Sequence, residues 1–164
     1  MKIAIGADHR GHAAKERVGV LLSELGHEVI DMGTNSSRSC DYTDVAYSVS
    51  IAVAAARAER AILIDGNGIG MSISANKISG IRAALCHDEL TAEMSRRHNN
   101  ANILCLASDV LGEELMRRIV SSWLEIEFES GGRHERRVSK LTWIEAGKDP
   151  SEFGDQADNE SAEA

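Results

Sequence analysis

The sequence predicts an α/β domain: a five-stranded, mainly parallel sheet covered by helices on both faces, three layers in all. Two observations carry this. Short apolar runs alternate with stretches of helical periodicity along most of the chain. Such alternation implies parallel strands joined by crossover helices. Asp8, His9, Asp65 and His87 each stand at or just after the end of an apolar run, where a parallel sheet gathers its ligand-binding groups.

Each element follows from local pattern. Lys2 to Ala7 reads as a buried strand with Ile3 and Ile5 on one face. Ala14, Val18, Leu21, Leu22 and Leu25 then share one helical stripe, and Gly26 stands where a helix-ending glycine belongs. His27 to Met32 is the second strand, completing a β-α-β unit. The polar, Ser-rich stretch from Gly33 to Asp41 is a loop, after which Thr43 caps an Ala-rich helix expected to run to about Glu59. Arg60 to Asp65 is the third strand and Gly66 to Gly70 a glycine-rich turn, followed by a short helix over Met71 to Lys77. Ile81 to Cys86 and Ala101 to Ala107 are the fourth and fifth strands, separated by a helix that Asp88 caps and that ends near Arg97. From Gly112 to Phe128, Leu115, Met116, Ile119, Val120, Trp123 and Leu124 fall at helical spacing. Gly131 and Gly132 break the chain before a last amphipathic segment over about Glu135 to Ala146.

The chain has 164 residues and a net charge of −8. From Asp149 onward there are six acidic and no basic side chains; the rest holds 20 acids against 18 bases. Residues 1–147 are therefore expected to form one domain and 148–164 an acidic, disordered tail. A near-neutral body and an acidic tail exclude a nucleic-acid partner, which needs a basic surface, and aromatics at 4% exclude a stacking platform. No apolar stretch is long enough to span a membrane, and the start of the chain lacks the long apolar core of a signal peptide. Three cysteines, an odd number without metal-type spacing, read as free thiols in a reducing cytoplasm.

The strongest local feature is Asp65-Gly66-Asn67-Gly68-Ile69-Gly70. Glycines at alternate positions let backbone N–H groups approach a ligand, which suits a phosphate or a developing oxyanion; the plain alternative is a tight strand-to-helix turn. Met71 stands where a dinucleotide fingerprint needs its third glycine, and no Lys-Ser/Thr follows as in a Walker loop. Asp65 is either a general base, which burial would tune, or a cap for the turn. Asp8-His9 after the first strand offers a second acid-base pair, or a helix cap. His98, at a helix end in His98-Asn99-Asn100, is a proton-transfer group or a partner of the helix dipole. Arg133 and Arg137 stand four apart and share a face if the last helix starts early, forming a phosphate clamp or a solvated basic face.

Several separate blocks, in order, resemble the type-B ribose-5-phosphate isomerases and the related galactose-6-phosphate isomerases. They are Ile5-Gly6-Ala7-Asp8-His9 with Gly11; Asp41-Tyr42; and Gly66-Asn67-Gly68-Ile69-Gly70-Met71-Ser72 with Ala75-Asn76-Lys77. Next come His98-Asn99-Asn100-Ala101-Asn102, then Phe128-Glu129 with Gly131-Gly132-Arg133-His134 and Arg136-Arg137. The resemblance spans about residues 1–145. It implies a Rossmann-like domain working as a homodimer or dimer of dimers, with the C-terminal helix packed on a partner subunit and the active site between subunits. It implies aldose–ketose isomerisation of a sugar phosphate through a cis-enediolate, with no metal and no cofactor. By position, His98 resembles the group that opens the furanose ring, with Asp8 nearby. Gly66, Asn67, Gly68 and Gly70 resemble the enediolate's anion hole, and His9, Arg133 and Arg137 the phosphate ligands. Tyr42 resembles the wall beside the sugar and Asn99 a hydroxyl contact.

Two departures stand out. Many members of that family carry a cysteine base where this chain has Asp65 and a Ser or Thr where it has Asn67; others use a glutamate at the position of Met71. Asp65 is then the base candidate left, and a carboxylate is adequate for enediol chemistry, as in triosephosphate isomerase. Asp109 stands where many members place a phosphate-binding arginine, and an acid beside a phosphate is repulsive. These departures leave two rivals to ribose 5-phosphate isomerisation: another pentose or hexose phosphate as substrate, or a non-catalytic sugar-phosphate-binding homologue.

Overall fold

The computed structural model describes residues 1–153. The bulk of the acidic segment expected to be a tail, residues 154–164, lies outside the described residues. Strands β1 (Lys2–Ala7), β2 (Glu28–Asp31), β3 (Arg60–Asp65), β4 (Ala83–Leu85) and β5 (Ile103–Ala107) form one sheet. Its order is β2-β1-β3-β5-β4 and every pairing is parallel. The crossovers are α1 (His12–Glu24), α2 (Tyr42–Ala54), α3 (Ile69–Ala75) and α4 (Glu89–Arg97), and α5 (Glu113–Glu125) follows the last strand. Helix α6 (Gly132–Glu145) and a 3₁₀ turn at Pro150–Glu152 follow, and Phe153 meets Trp143 edge-on at 5.2 Å.

Side-chain alternation along the strands splits the core into two layers. Ile3, Ile5, Ile62, Ile64, Leu104 and Leu106 pack with Val18, Leu22, Ile119, Val120 and Trp123 of α1 and α5. Ala4, Ala61, Leu63, Ile103 and Cys105 face the other way, toward Ala46, Val49, Met71 and Ala75 of α2 and α3. The small residues on α2 let it lie close to the sheet.

Several element boundaries differ from the sequence reading; the last helix, for one, starts at Gly132 rather than near Glu135. Helix α2 begins at Tyr42, with Asp41 in the N-cap position but without a side-chain cap bond, and stops at Ala54 rather than near Glu59. Ala56 takes a left-handed φ of 53°, and the Arg57 and Ala58 N–H groups both turn back to the Ala52 carbonyl. The chain must reverse there to enter β3. Helix α3 runs over Ile69–Ala75 rather than 71–77, and β4 is three residues long. Side chains take over backbone partners beside β4: Asn76 Oδ1 accepts from Ala83 N and Asn102 Oδ1 from Arg82 N.

Gly11 sets how close α1 comes to the sheet. A Cβ there would lie 2.2 Å from the Ile64 carbonyl oxygen, a backbone atom that cannot swing aside. Gly11→Ala should therefore destabilise the domain by at least about 2 kcal/mol, the usual scale for forcing extra atoms into a packed contact. A thermal melt showing an unchanged Tm would count against this packing argument.

Candidate active site

The strand order reverses between β1 and β3, and the crevice at their C-terminal ends is where such sheets hold ligands. Asp8 follows β1 and Asp65 ends β3, and both are buried, at 5% and 4% exposure. Asp8 Oδ1 accepts from the Arg10 and Gly11 N–H groups at 2.9 and 3.0 Å, so it caps the turn into α1. Its other oxygen lies 3.9 Å from His9 Nδ1, which accepts from Cys40 N at 3.4 Å. Accepting on Nδ1 leaves the proton of a neutral His9 ring on Nε2.

Asp65 is wrapped by its own loop. Its Oδ1 accepts from Asn67 N at 3.1 Å and from Gly68 N at still closer range. Gly68 adopts a φ of +75°, and a Cβ on it would strike Leu85 Cδ1 at 2.2 Å; only glycine serves. Asn67 Oδ1 accepts from Ile69 N at 2.9 Å, which starts α3 two residues earlier than expected. The N–H groups of Asn67 and Gly68, expected to serve an anion, thus face the Asp65 carboxylate. The capping alternative for Asp65 holds. Its pKa is nonetheless raised, first by burial and further by Asp8, against the lowering pull of the Gly68, Asn67 and Met71 N–H groups. Tyr42, at the start of α2, lies on Gly70: a Cβ there would meet its ring at 2.7 Å. Asp8, His9, Tyr42, Asp65, Gly66, Asn67, Gly68 and Gly70 are thus gathered at one end of the sheet.

The remaining candidates gather elsewhere. His98 is the C-cap of α4, its N–H bound to Met94 O at 3.0 Å. Arg96 fixes this corner from within: it is 4% exposed and donates to the Ile126 carbonyl, the Ala101 carbonyl and Asn100 Oδ1. Burial lowers its pKa to about 10, so it stays charged at neutral pH. The His98 and His134 rings stack, 4.0 Å between centroids and 4° apart in plane. His134 Nε2 accepts from Arg133 Nε at 3.3 Å. Partial burial, His98 and Arg133 all lower the His134 pKa, which favours a neutral ring. Arg133 and Arg137 both lie on α6, because that helix starts at Gly132. His98, Asn99, His134 and Arg137 line a cleft of about 270 Å³ with Val138 and Leu141.

His98, Glu129 and His134 bring one possible ligand atom each within 4.8 Å of one another, the kind of trio that can hold a metal ion. Arg97 already grips Glu129, Arg133 donates to His134, and stacked rings aim their lone pairs along parallel planes. A cation there would have to displace two guanidiniums, whereas an anion would meet them.

One chain does not bring the two groups together. Asp65 registers with Ala107 at the C-terminal end of β5, whereas Asn102 O accepts from Ala61 N at its N-terminal end. Five strand residues separate the ends by about 15 Å, and His98 precedes Asn102 on the far side. Helix α4 has carried the chain back down the sheet.

Two further residues enter the site that sequence reasoning did not connect. Arg10 donates twice to Asp109 Oδ2, from Nε at 2.8 Å and from the terminal nitrogen at 2.6 Å. The acid that looked misplaced beside a phosphate is thus neutralised by a partner 99 positions away, a pairing without a local signal. His134, named in the sequence only within the Gly131-Gly132-Arg133-His134 block and given no role there, is the ring under His98.

Comparison with known proteins now bears on this arrangement. The family described as Ribose/Galactose Isomerase matches residues 3–141. The ribose-5-phosphate isomerase B of Escherichia coli is 47% identical over 144 residues, 88% of this chain and 96% of that one. A D-erythrulose-4-phosphate isomerase of Pectobacterium atrosepticum is 40% identical over 146 residues, covering 88% and 95%. The structure of Clostridium thermocellum ribose-5-phosphate isomerase B superposes with a TM-score of 0.88 at 48% identity, over 90% of this chain and 99% of that one. The family match spans most of the chain, and the relatives are matched over nearly their whole length: the chain belongs to the Ribose/Galactose Isomerase family and is an isomerase of the sugar-phosphate class.

Proposed function

We propose that this enzyme interconverts ribose 5-phosphate and ribulose 5-phosphate through a cis-enediolate, at a site completed between two copies of the chain. The observation that carries the reading is Asp65: a buried carboxylate of raised proton affinity, at the sheet's switch point, inside a glycine loop. His98 of the second copy opens the furanose ring, with Asp8 nearby. Asp65 then takes the C2 proton of the aldose and returns it to C1, while the C2 hydroxyl proton passes to O1 so that C2 becomes the carbonyl. As Asp65 is neutralised, the charge passes to the substrate oxygen. The loop N–H groups from Gly66 to Gly70 and the Asn67 amide can follow it there. The second copy's Arg133 and Arg137, with His9, hold the phosphate, Asn99 meets a hydroxyl and Tyr42 walls the sugar. These proton transfers need no metal or cofactor.

Pairing of two copies is supported by uncovered apolar side chains beside both groups. Ile69 and Ile73 on α3 and Leu141 and Ile144 on α6 are 40–57% exposed, and no residue of α6 is buried. A two-fold dimer that lays α6 on its partner covers such faces and brings each His98 to the other copy's Asp65. A dimer of dimers would bury more of the same surface. The unpaired thiols and the lack, among the described residues, of any helix able to cross a membrane suit a cytoplasmic enzyme.

Proton NMR in D₂O with ribose 5-phosphate tests the reading. Loss of the C2 hydrogen signal with growth of ribulose 5-phosphate is expected. A tetrose or hexose phosphate reacting much faster would favour the second reading, a different aldose phosphate. The likeness to a D-erythrulose-4-phosphate isomerase and the Arg10–Asp109 pair motivate that reading. Binding without exchange across the panel would leave a non-catalytic homologue.

A further inference from the structure

Arg10 and Asp109 form an ion pair that roofs the glycine loop. A Cβ on Gly66 would lie 2.7 Å from Asp109 Oδ2 and 2.9 Å from Arg10 Nε, so the pair rests on the Gly66 backbone. It ties three strand ends together. Arg10 N donates to Asp8, Asp109 N donates to Gly66 O, and Ser108 Oγ donates to the carbonyls of Arg10 and Asp65. The backbone of Arg10 is thus fixed while its side chain stays 58% exposed at the crevice mouth. Asp8, Asp65 and Asp109 stand at the same end of the sheet. A substrate bearing a phosphate dianion enters against three carboxylates, and the guanidinium that lies on the loop is Arg10.

We propose that Arg10 is a direct contact for the anionic group of the substrate, with Asp109 as its resting counter-ion. The proposal rests on the isomerase reading for its substrate. An exposed, solvent-screened pair is held weakly, so a dianion competes well with a single carboxylate for the planar guanidinium fork. Asp109 sets the cost of that exchange.

The test compares the parent with Arg10→Gln, Arg10→Lys and Asp109→Asn at one ionic strength. The readouts are KM and kcat for ribose 5-phosphate and the affinity for inorganic phosphate by calorimetry. Arg10→Gln should raise KM and the phosphate Kd about ten-fold, as loss of a charge-assisted contact does, with kcat moved far less. Asp109→Asn should tighten phosphate binding about three-fold by freeing Arg10. Unchanged KM and Kd in Arg10→Gln would overturn the proposal and leave the pair as a fastening of the loop. If Arg10→Gln does not fold, Arg10→Lys decides: KM must rise where the fork is lost although the charge remains. A parent that binds phosphate through Arg10 but turns over no sugar phosphate would sink the isomerase reading and keep Arg10 as a phosphate contact only. A parent that turns over substrate with no dependence on Arg10 would do the reverse.

Discussion

Asp65→Asn should lower kcat about 10³-fold while KM stays within about three-fold, the scale expected for losing a general base. The substitution separates the two things Asp65 does. Asparagine keeps an acceptor oxygen for the Asn67 and Gly68 N–H groups, so the turn that Asp65 caps survives. What it removes is the basic oxygen. A variant within ten-fold of the parent would make Asp65 a turn cap only and move the base elsewhere.

The pH profile gives an independent reading of the same carboxylate. The base must be ionised, so kcat/KM should rise with pH on an acid limb set above the ordinary carboxylate range, as burial and Asp8 dictate. The stability consequence has the opposite sign from that of a salt-bridged aspartate. Folded Asp65 binds its proton more tightly than the unfolded chain does. Stability is therefore lost as pH climbs from the usual aspartate range through the raised value, and the loss is complete above it. The variant has no such titration. The Tm difference between variant and parent should shift in the variant's favour across that window and level off at higher pH. A difference flat in pH would show that Asp65 titrates normally.

The sheet was legible because its central strands are buried on both faces. Ile3, Ile5, Ile62 and Ile64 mark one layer and Ala4 and Leu63 the other, a period of two that no helix reproduces. Strand ends then located Asp8 and Asp65, since a parallel sheet has one ligand-binding rim. Element ends were less legible where side chains replace backbone partners, as Asn76 and Asn102 do around β4. Local pattern alone could not show that Asp65 takes up the N–H groups of its own loop, because a carboxylate and a bound anion make the same demand on a glycine turn. The blocks that carried the family resemblance put the proposed site between subunits, and helix α4 running back down the sheet is the physical reason the two groups of residues stand apart within one chain. Arg10 and Asp109 lie on different strand ends, and nothing near either residue announces the other.

Mixing two dead variants should restore activity. Asp65→Asn cripples the group at the C-terminal end of the sheet and leaves His98, Arg133 and Arg137 intact; His98→Asn does the converse. About 15 Å of strand divides the two groups within one chain, so under the proposed two-copy site neither chain is complete alone. When the variants are unfolded together and refolded at equal concentration, half of the resulting dimers are mixed under random two-fold pairing. In each mixed dimer one site carries both lesions. The other joins an intact Asp65 loop to an intact His98 and regains parental turnover. About one quarter of all sites should recover, far above the residual activity of either variant alone. Were each site built from a single chain, every site in the mixture would keep its own lesion and nothing would return. The same experiment with Asp65→Asn and Asp8→Asn, both on one side of the divide, should give no recovery. Recovery there would mean that the two aspartates act in different sites, against their shared place at the ends of β1 and β3.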